Sequence, residues 1–512
     1  MKRRHLRLSL ITLLALVLIM LSVWQLLRPF QAVSIEYFSV GQTPITLFAP
    51  EPAPQQAPVV IIAHGFAGSQ QLMQPFALTL ARNGYQALSF DFPGHGRHPV
   101  PIAGELADYE ARSQMLVAAL TEVVDFAQAL PGGNGELALV GHSMASDTVM
   151  RYASEYPAKI NATVAVSPFS DHSRHDAPRN LLVVYGALEP QGLQDLGAAA
   201  VAHATPDGQV QAGITYGDFT EGTARRLALA NGVEHIGVLY SPVALQETLD
   251  WLNQSLTITP GDGFIDRRGP WLLLLLMGLL LLARPLATLL PKIARTPLGS
   301  GVDRWRVFWP LALLPAIFTP LILWPLPSVP LPILIGDYLF LHFALYGALT
   351  WLGLLWAGKL RQGVWFSRRR LVGAMLAAGA YVTLSVAWVM DTFVASFMPI
   401  PERLWLVIVL FGGTFLFFAA DEWFTRGAVT LRGAYALTKV LFVLSLIAAT
   451  LLSLEELFFL IIIIPAMVPF FIVHGLFSRW AYRRSYHPLV GAFANALAFA
   501  WAIALTFPLV AR

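Results

Sequence analysis

Long apolar segments fill most of the chain after residue 270, and they constrain its fold more than any other feature. Candidate segments lie at residues 270–290, 307–327, 332–356, 371–391, 403–420, 434–453, 457–476 and 488–510. A helix of about 20 apolar residues crosses a hydrocarbon core of roughly 30 Å. The chain is 56% hydrophobic and 13% charged, which is more apolar surface than a water-soluble protein can bury. We therefore predict an all-α transmembrane helix bundle of about eight helices over residues 261–512.

A further apolar run stands at the N-terminus. Met1-Lys2-Arg3-Arg4 precedes an apolar stretch over about residues 8–27, which is long enough for one membrane-spanning helix. A cleaved signal peptide is the alternative, but the stretch is long for a signal sequence and no Ala-x-Ala site follows it. We expect an uncleaved transmembrane anchor over residues 1–29.

Basic residues concentrate in alternate loops between the apolar segments, and this bias predicts the orientation. With a cytoplasmic N-terminus, the loops that fall inside contain Lys292, Arg295, Arg304, Arg306, Lys359, Arg361, Arg368, Arg369, Arg370, Arg426, Arg432, Arg479, Arg483 and Arg484. The loops that fall outside have one arginine, Arg403. We expect a multi-pass protein of the cell (plasma) membrane, with the N-terminus in the cytoplasm and residues 30–260 outside it. The net charge of only +3 gives no support for nucleic-acid binding.

Residues 30–260 have the pattern of a globular α/β domain. Candidate strands lie near 33–38, 44–48, 58–63, 86–90, 136–140, 162–166, 181–185 and 226–230, and longer helical stretches separate most of them. This alternation predicts a mostly parallel sheet with helices on both faces. Only residues 167–180 separate the candidate strands at 162–166 and 181–185. Residues 190–225 show no clear pattern.

Three loops that follow these strands contain residues suited to acyl transfer. Gly141-His142-Ser143-Met144-Ala145 stands between a strand and a helix, Gly186-Ala187-Leu188-Glu189 follows the penultimate strand, and His235 follows the last. In this order and context the domain resembles the α/β-hydrolase family, whose nucleophile elbow reads Gly-x-Ser-x-Gly and whose triad runs Ser, acid, His. Ala145 stands where the second glycine of the elbow is usual.

The resemblance implies a role for each residue. Ser143 would be the nucleophile, His235 the base that activates it, and Glu189 the acid that orients the base. The family more often has Asp at the acid position. Asp171, which follows the preceding strand, is the alternative acid.

The resemblance also implies an oxyanion hole made of two backbone N–H groups, those of Phe66 and Met144. The segment Asp91-Phe92-Pro93-Gly94-His95-Gly96-Arg97 resembles the family's Asp-x-x-Gly-His-Gly loop. We interpret it as structural, with Asp91 and Arg97 holding loops together. His142, beside the nucleophile, is expected to pack rather than react.

No cofactor is expected. The chain has no cysteine, which excludes disulfides, thiolate zinc sites and Cys nucleophiles. Asp171, His172, His175 and Asp176 are close in sequence, but their spacing matches no metal-ligand pattern. We predict no metal site.

These features predict a membrane-bound serine hydrolase, esterase- or lipase-like, that cleaves ester or related acyl substrates through an acyl-Ser143 intermediate. Its expected partners are a small-molecule or lipid-like acyl substrate and the lipid bilayer. One alternative is an acyltransferase that uses the same triad. The other is a membrane transporter or scaffold whose hydrolase-like domain binds a ligand without catalysis.

Overall fold

The computed structural model describes residues 2–52, 56–103, 109–170, 172–258, 261–326, 331–360 and 366–511. The chain forms two compact units. The sheet unit comprises Leu21–Leu274, Met390–Phe397 and Pro508–Arg512, and the helical unit comprises Met1–Met20, Leu275–Val389 and Met398–Phe507.

The sheet unit is built on a sheet that has nine strands in the part of the chain described. They are β1 Val33–Val40, β2 Thr43–Pro50, β3 Ala57–Ala63, β4 Gln86–Phe90, β5 Gly133–His142, β6 Ala162–Val166, β7 Leu181–Gly186, β8 Thr215–Tyr216 and β9 Arg225–Ala230. Their order is β1-β2-β4-β3-β5-β6-β7-β9-β8. The pairs between β4 and β9 are parallel, whereas β1, β2 and β8 pair antiparallel at the two edges.

Helices cover both faces of this sheet. They are α2 Gln74–Arg82, α3 Tyr109–Gln128, α4 Met144–Glu155, α5 Gln191–Ala202 and α6 Pro242–Ser255. Successive residues of β7 point to opposite faces: Leu182 packs in a core cluster with α2 and α6, and Val183 packs in a second cluster with α4 and α5. Every residue of β3 is buried, as expected of a parallel strand covered on both sides. The predicted mostly parallel sheet with helices on both faces is confirmed.

The region that the sequence left without a pattern, residues 190–225, contains α5 and the short edge strand β8. The helical stretch between β3 and β4 consists of a 3-10 turn, Gln70–Met73, and α2. The eight candidate strands are all present within a few residues of their predicted positions.

The remaining helices are long and apolar. They are α1 Lys2–Leu27, α7 Arg268–Ala287, α8 Trp305–Leu323, α9 Gly336–Trp356, α10 Arg368–Phe393, α11 Pro401–Thr425, α12 Ala434–Leu452, α14 Leu460–Ser485 and α15 Pro488–Thr506, with a single turn, α13 Leu454–Leu457, between two of them. Within the described ranges, these nine long helices have the length and hydropathy to cross a membrane. The predicted number of apolar spans is matched.

Two segments that the sequence assigned to the membrane region belong to the sheet unit. The first is the C-terminal segment that contains Leu509. The Leu509 N–H donates to the Gly94 carbonyl at 2.8 Å, and the Leu509 carbonyl accepts from the Ile102 N–H at 2.9 Å. The second is the segment at residues 390–397, which contacts the loops after β3 and β4 as described below. The sheet unit is therefore assembled from three separate stretches of the chain.

Candidate active site

Ser143 occupies a strained turn between β5 and α4. Its backbone has φ 53° and ψ −117°, a conformation that non-glycine residues adopt rarely and mostly at functional sites. The turn is tight: a Cβ at position 141 would lie 2.5 Å from the carbonyl oxygen of Ala145, so glycine is required there. Ala145 itself is fully buried, and its methyl group is accommodated at the position where the family usually has glycine.

The structure brings together Ser143, His235 and Glu189, the three residues predicted to form the triad. The Nε2 atom of His235 lies 2.9 Å from the Ser143 Oγ atom. The Nδ1 atom of the same ring lies 2.7 Å from the Glu189 Oε2 atom. Both distances are those of hydrogen bonds, and they form a continuous chain from the hydroxyl through the imidazole to a buried carboxylate. This is the geometry in which a histidine can accept the serine proton.

The Glu189 carboxylate is fixed by two further donors. Its Oε1 atom accepts hydrogen bonds from the Ser167 hydroxyl at 2.6 Å and from the Gly186 N–H at 2.8 Å. The Oε2 atom is left facing His235. Glutamate is one methylene longer than aspartate. Its carboxylate is held in place by Gly186, at the end of β7, and by Ser167, the residue after β6.

His142 forms a hydrogen bond with the backbone of His235. The Nε2–H group of His142 donates to the His235 carbonyl at 3.0 Å. Burial, reinforced by the nearby His235, lowers the pKa of His142 to about 3, so the His142 ring is neutral at physiological pH. His142 is a positioning residue rather than a second base, in agreement with the structural role expected of it.

The loop after β3 lies against Ser143. A Cβ on Gly65 would come within 3.0 Å of the Ser143 Cβ. The Gly65 carbonyl accepts hydrogen bonds from the Gly68 N–H at 3.0 Å and from the His64 Nδ1–H at 2.8 Å. Because C=O and N–H point in opposite directions across a trans peptide, these bonds set the direction of the Phe66 N–H. That N–H is one of the two oxyanion donors that the resemblance implies.

His64 holds this peptide as a neutral ring. Its Nε2 atom accepts the Phe92 N–H at 3.1 Å, which leaves the proton on Nδ1. Burial lowers the pKa of His64 and outweighs the opposing effect of the Asp91 carboxylate. The other expected oxyanion donor, the Met144 N–H, is the first of α4 and has no partner within the helix.

Asp91 ties the loop after β4 to the loop after β3. The Asp91 carboxylate, which is fully buried, accepts from the Gln70 N–H at 2.8 Å, the Gln70 Nε2 atom at 3.0 Å and the Arg97 N–H at 3.0 Å. This arrangement agrees with the structural interpretation of the Asp91–Arg97 loop.

Residues 390–397 complete this network. The Arg97 Nη2 atom contacts both oxygens of Asp391, at 3.1 and 2.9 Å. The Ser396 N–H donates to the Ser69 hydroxyl at 2.8 Å, and the Ser396 hydroxyl bonds to Gln71. The loop that holds Phe66 is thus braced from its far end by a distant part of the chain.

The alternative acid, Asp171, lies outside the described residues. Its neighbour His172 bonds through Nε2 to Asp147 at 2.8 Å. Among the residues that the structure describes, no group of three or more His, Cys, Asp or Glu side chains is arranged to hold a metal ion.

Three positioning residues were not identified from the sequence. Ser167 and His64 each stand directly after a strand, but many residues do, and only the fold shows which carboxylate or carbonyl they meet. Asp391 is almost 300 residues from its partner, and no local pattern links the two.

Comparison with known proteins identifies part of the sheet unit. Residues 54–221 match the family model described as "Serine aminopeptidase, S33"; the match ends before His235. No curated protein is significantly similar to the chain.

Several solved hydrolases share a portion of the structure. They include the epoxide hydrolase VrEH1 from Vigna radiata (22% identity, 27% of this chain and 41% of that chain, TM-score 0.22) and a putative lipase, lip1, from Acinetobacter baumannii AYE (21%, 28% and 45%, TM-score 0.23). A dienelactone hydrolase from Anabaena variabilis is matched over its full length (17%, 44% and 100%, TM-score 0.32). The chain spans less than half the length of the first two, and similarities this low do not bear on substrate or activity. The family match over residues 54–221, together with the mostly parallel sheet covered by helices on both faces, places an α/β-hydrolase domain in this chain.

Proposed function

We propose that this chain is a membrane-bound serine hydrolase, esterase- or lipase-like, which cleaves ester or related acyl substrates through an acyl-Ser143 intermediate. The observation that carries the proposal is the hydrogen-bonded chain from the Ser143 hydroxyl through His235 to Glu189.

Acylation begins with proton transfer from the Ser143 hydroxyl to the Nε2 atom of His235. The Oγ atom attacks the acyl carbon of the substrate, and the carbonyl oxygen takes up the negative charge of a tetrahedral intermediate. Glu189 stabilises the imidazolium that forms. Collapse of the intermediate breaks the bond to the leaving group, which takes the proton from Nε2, and leaves the acyl group on Ser143.

Deacylation repeats these steps with water. His235 removes a proton from water, the hydroxide attacks the acyl-enzyme carbonyl, and the second tetrahedral intermediate releases the carboxylic acid while Nε2 returns the proton to Oγ. The N–H groups of Phe66 and Met144 are assigned to the oxyanion in both steps. One such donor typically contributes about 2.7–4 kcal/mol of transition-state stabilisation.

The orientation of the membrane helices is part of the proposal. We assign the N-terminus to the cytoplasm and residues 30–260 to the outer side of the plasma membrane, because the basic residues follow the positive-inside rule at successive loops. The substrate would then be met outside the cytoplasm, and its lipid-like character follows only from the nearby bilayer.

An acyltransferase would use the same residues, with an alcohol in place of water in deacylation. A non-catalytic ligand-binding domain is less well supported, since such a domain has no need of a base held between a serine and a carboxylate.

The nucleophile is tested with membranes that contain the full chain and a fluorophosphonate probe. Wild type should be labelled, and Ser143→Ala and His235→Ala should not. Ser255→Ala is the matched control, because the Ser255 hydroxyl donates to the Trp251 carbonyl of its own helix. Equal labelling of wild type and Ser143→Ala would refute the assignment.

Substrate class and orientation need separate measurements. Release of acid from a panel of acyl esters, with and without an added alcohol, separates hydrolysis from acyl transfer. A reporter inserted after residue 256 that is active only in the cytoplasm would overturn the orientation.

A further inference from the structure

The helical unit contains a large cavity bounded by α12, α14 and the loop after α11. Its volume is about 940 Å³. Basic side chains line one part of it: Arg426, Arg432, Lys439, Arg479 and Arg483. No Asp or Glu of the described chain is among the lining residues.

Most of these cations are not neutralised by the protein. Lys439 forms an ion pair with Asp421, and Arg426 pairs with Glu422 at 2.8 Å. Arg432, Arg479 and Arg483 are exposed, and the described residues place no carboxylate within ion-pair distance of them. About three positive charges therefore remain for an external anion.

Much of the remaining lining is apolar, and this apolar part runs along the helices away from the arginines. On α12 it includes Val440 and Leu444, and on α14 it includes Val468 and Ile472, all of them exposed side chains. Arg483 and Val468 stand at the two ends of the α14 portion, about 22 Å apart at 1.5 Å per residue. One leaflet with its headgroup region is about 20–22 Å thick. This first cavity, called the groove below, therefore has the length of a single lipid molecule.

A second basic cavity adjoins the first. Its volume is about 540 Å³, and it shares Arg483 with the groove. The other basic residues that line it are Arg3, Arg7, Arg284 and Arg484, again with no carboxylate among the described lining residues. The positive surface thus continues beyond the first cavity, on the side where an anionic headgroup would lie.

We propose that the helical unit binds an anionic glycerophospholipid in this groove. Arg432, Arg479 and Arg483 hold the headgroup phosphate, whose oxygens match the fork of the guanidinium group. The acyl chain lies along the wall formed by Val440, Leu444, Val468 and Ile472. The proposal rests on the membrane insertion proposed above but not on the hydrolase activity.

The arginines of this site differ from other basic residues at the predicted cytoplasmic helix ends because they line a cavity that also has an apolar wall. Arg304, Arg306 and Arg369 lie on the same predicted side of the membrane as these arginines, yet they line neither basic cavity. A free phosphate would use the arginines alone and would not require the apolar wall.

The test uses the full chain with Ser143→Ala, so that hydrolysis cannot consume the ligand and the result is independent of the proposed activity. Native mass spectrometry of the detergent-solubilised protein measures bound phosphatidylglycerol and phosphatidylcholine during titration. We expect a preference for phosphatidylglycerol. The triple change Arg432→Gln, Arg479→Gln and Arg483→Gln should weaken that binding about 100-fold, at about fivefold for each charge.

Two further variants separate charge from shape. Arg304→Gln, Arg306→Gln and Arg369→Gln together remove the same number of charges outside the groove and should leave binding within about threefold. Val440→Trp keeps every charge and fills the apolar wall, so it should weaken phosphatidylglycerol binding even if the arginine variant fails to fold.

Equal binding of the two lipids by the parent protein would overturn the proposal. So would full phosphatidylglycerol affinity in Val440→Trp. Inorganic phosphate that competes at the same concentration as phosphatidylglycerol would show a phosphate site and also refute the lipid assignment.

Discussion

Replacing Glu189 with glutamine tests whether this carboxylate sets the protonation of His235. The Gly186 N–H can only donate, and it points at the Oε1 position of residue 189. In Glu189→Gln the amide oxygen must remain there, so the amide NH₂ faces the Nδ1 atom of His235. That atom must then accept, which moves the imidazole proton to Nε2 and towards Ser143. His235 can no longer act as the base.

The expected loss follows from this change of tautomer. An amide in place of the triad carboxylate, with the geometry preserved, typically lowers kcat about 10⁴-fold, which corresponds to about 5.5 kcal/mol. The assay is the rate of fluorophosphonate labelling of Ser143, together with turnover of an activated ester by the full chain in detergent. Protein stability should change little, because the amide oxygen of the new side chain keeps the hydrogen bonds to Ser167 and Gly186.

The alternative acid provides the control. Asp171→Asn should leave labelling and turnover within about threefold of wild type, since Glu189 already occupies the Nδ1 side of His235. Activity of Glu189→Gln within tenfold of wild type would refute the assignment of Glu189. A large loss in Asp171→Asn would transfer the role to that residue.

Three further changes probe the surroundings of the site. Gly141→Ala should abolish labelling and lower Tm, because the new Cβ would lie 2.5 Å from a backbone oxygen. Asp391→Asn removes the charge that holds Arg97 and should lower kcat/KM severalfold, measured with an activated ester. The Tm of wild type should fall as pH falls from about 6.5 towards 3, because buried His142, whose pKa is about 3, stays neutral in the folded protein while the unfolded chain takes up a proton. In His142→Gln this acid-side fall in Tm should be smaller.

Matched controls exist for two of these changes. Gly192→Ala adds a Cβ into open space and should retain labelling. Asp262→Asn breaks the ion pair with Arg82, in which the carboxylate is more exposed than that of Asp391, and should leave kcat/KM unchanged. Loss of labelling in Gly192→Ala, or equal effects of Asp262→Asn and Asp391→Asn, would contradict the steric and positioning arguments. A Tm profile of His142→Gln identical to wild type would contradict the assignment of the acid-side fall to His142.

Residues whose environment is set by local sequence were predicted well. The positions of the strands along the chain followed from apolar runs such as β3, and the placement of Ser143, Glu189 and His235 followed from the strand ends that precede them. The sharp turn at Ser143 was also predictable, because Gly141 leaves room for it and the helix α4 follows at once.

Residues that act through distant partners could not be predicted. Ser167 orients Glu189 only because β6 and β7 are neighbours in the sheet, and that pairing has no signature at Ser167 itself. Asp391 stands at the end of an apolar helix, where a charged residue is ordinarily taken as a marker of the membrane boundary. Its hydrogen bonds to Arg97 join two residues that are 294 positions apart in the sequence.

The three-part origin of the sheet unit has a consequence for biosynthesis. During translation, Gly94 and Ile102 emerge long before Leu509, their backbone partner. Arg97 is likewise synthesised long before Asp391, with which it forms an ion pair. The loop that braces the Phe66 peptide can therefore reach its final form only after the apolar helices have been synthesised. An expression fragment that stops near residue 274 would contain Ser143, Glu189 and His235 but would lack the groups that finish the loop beside them.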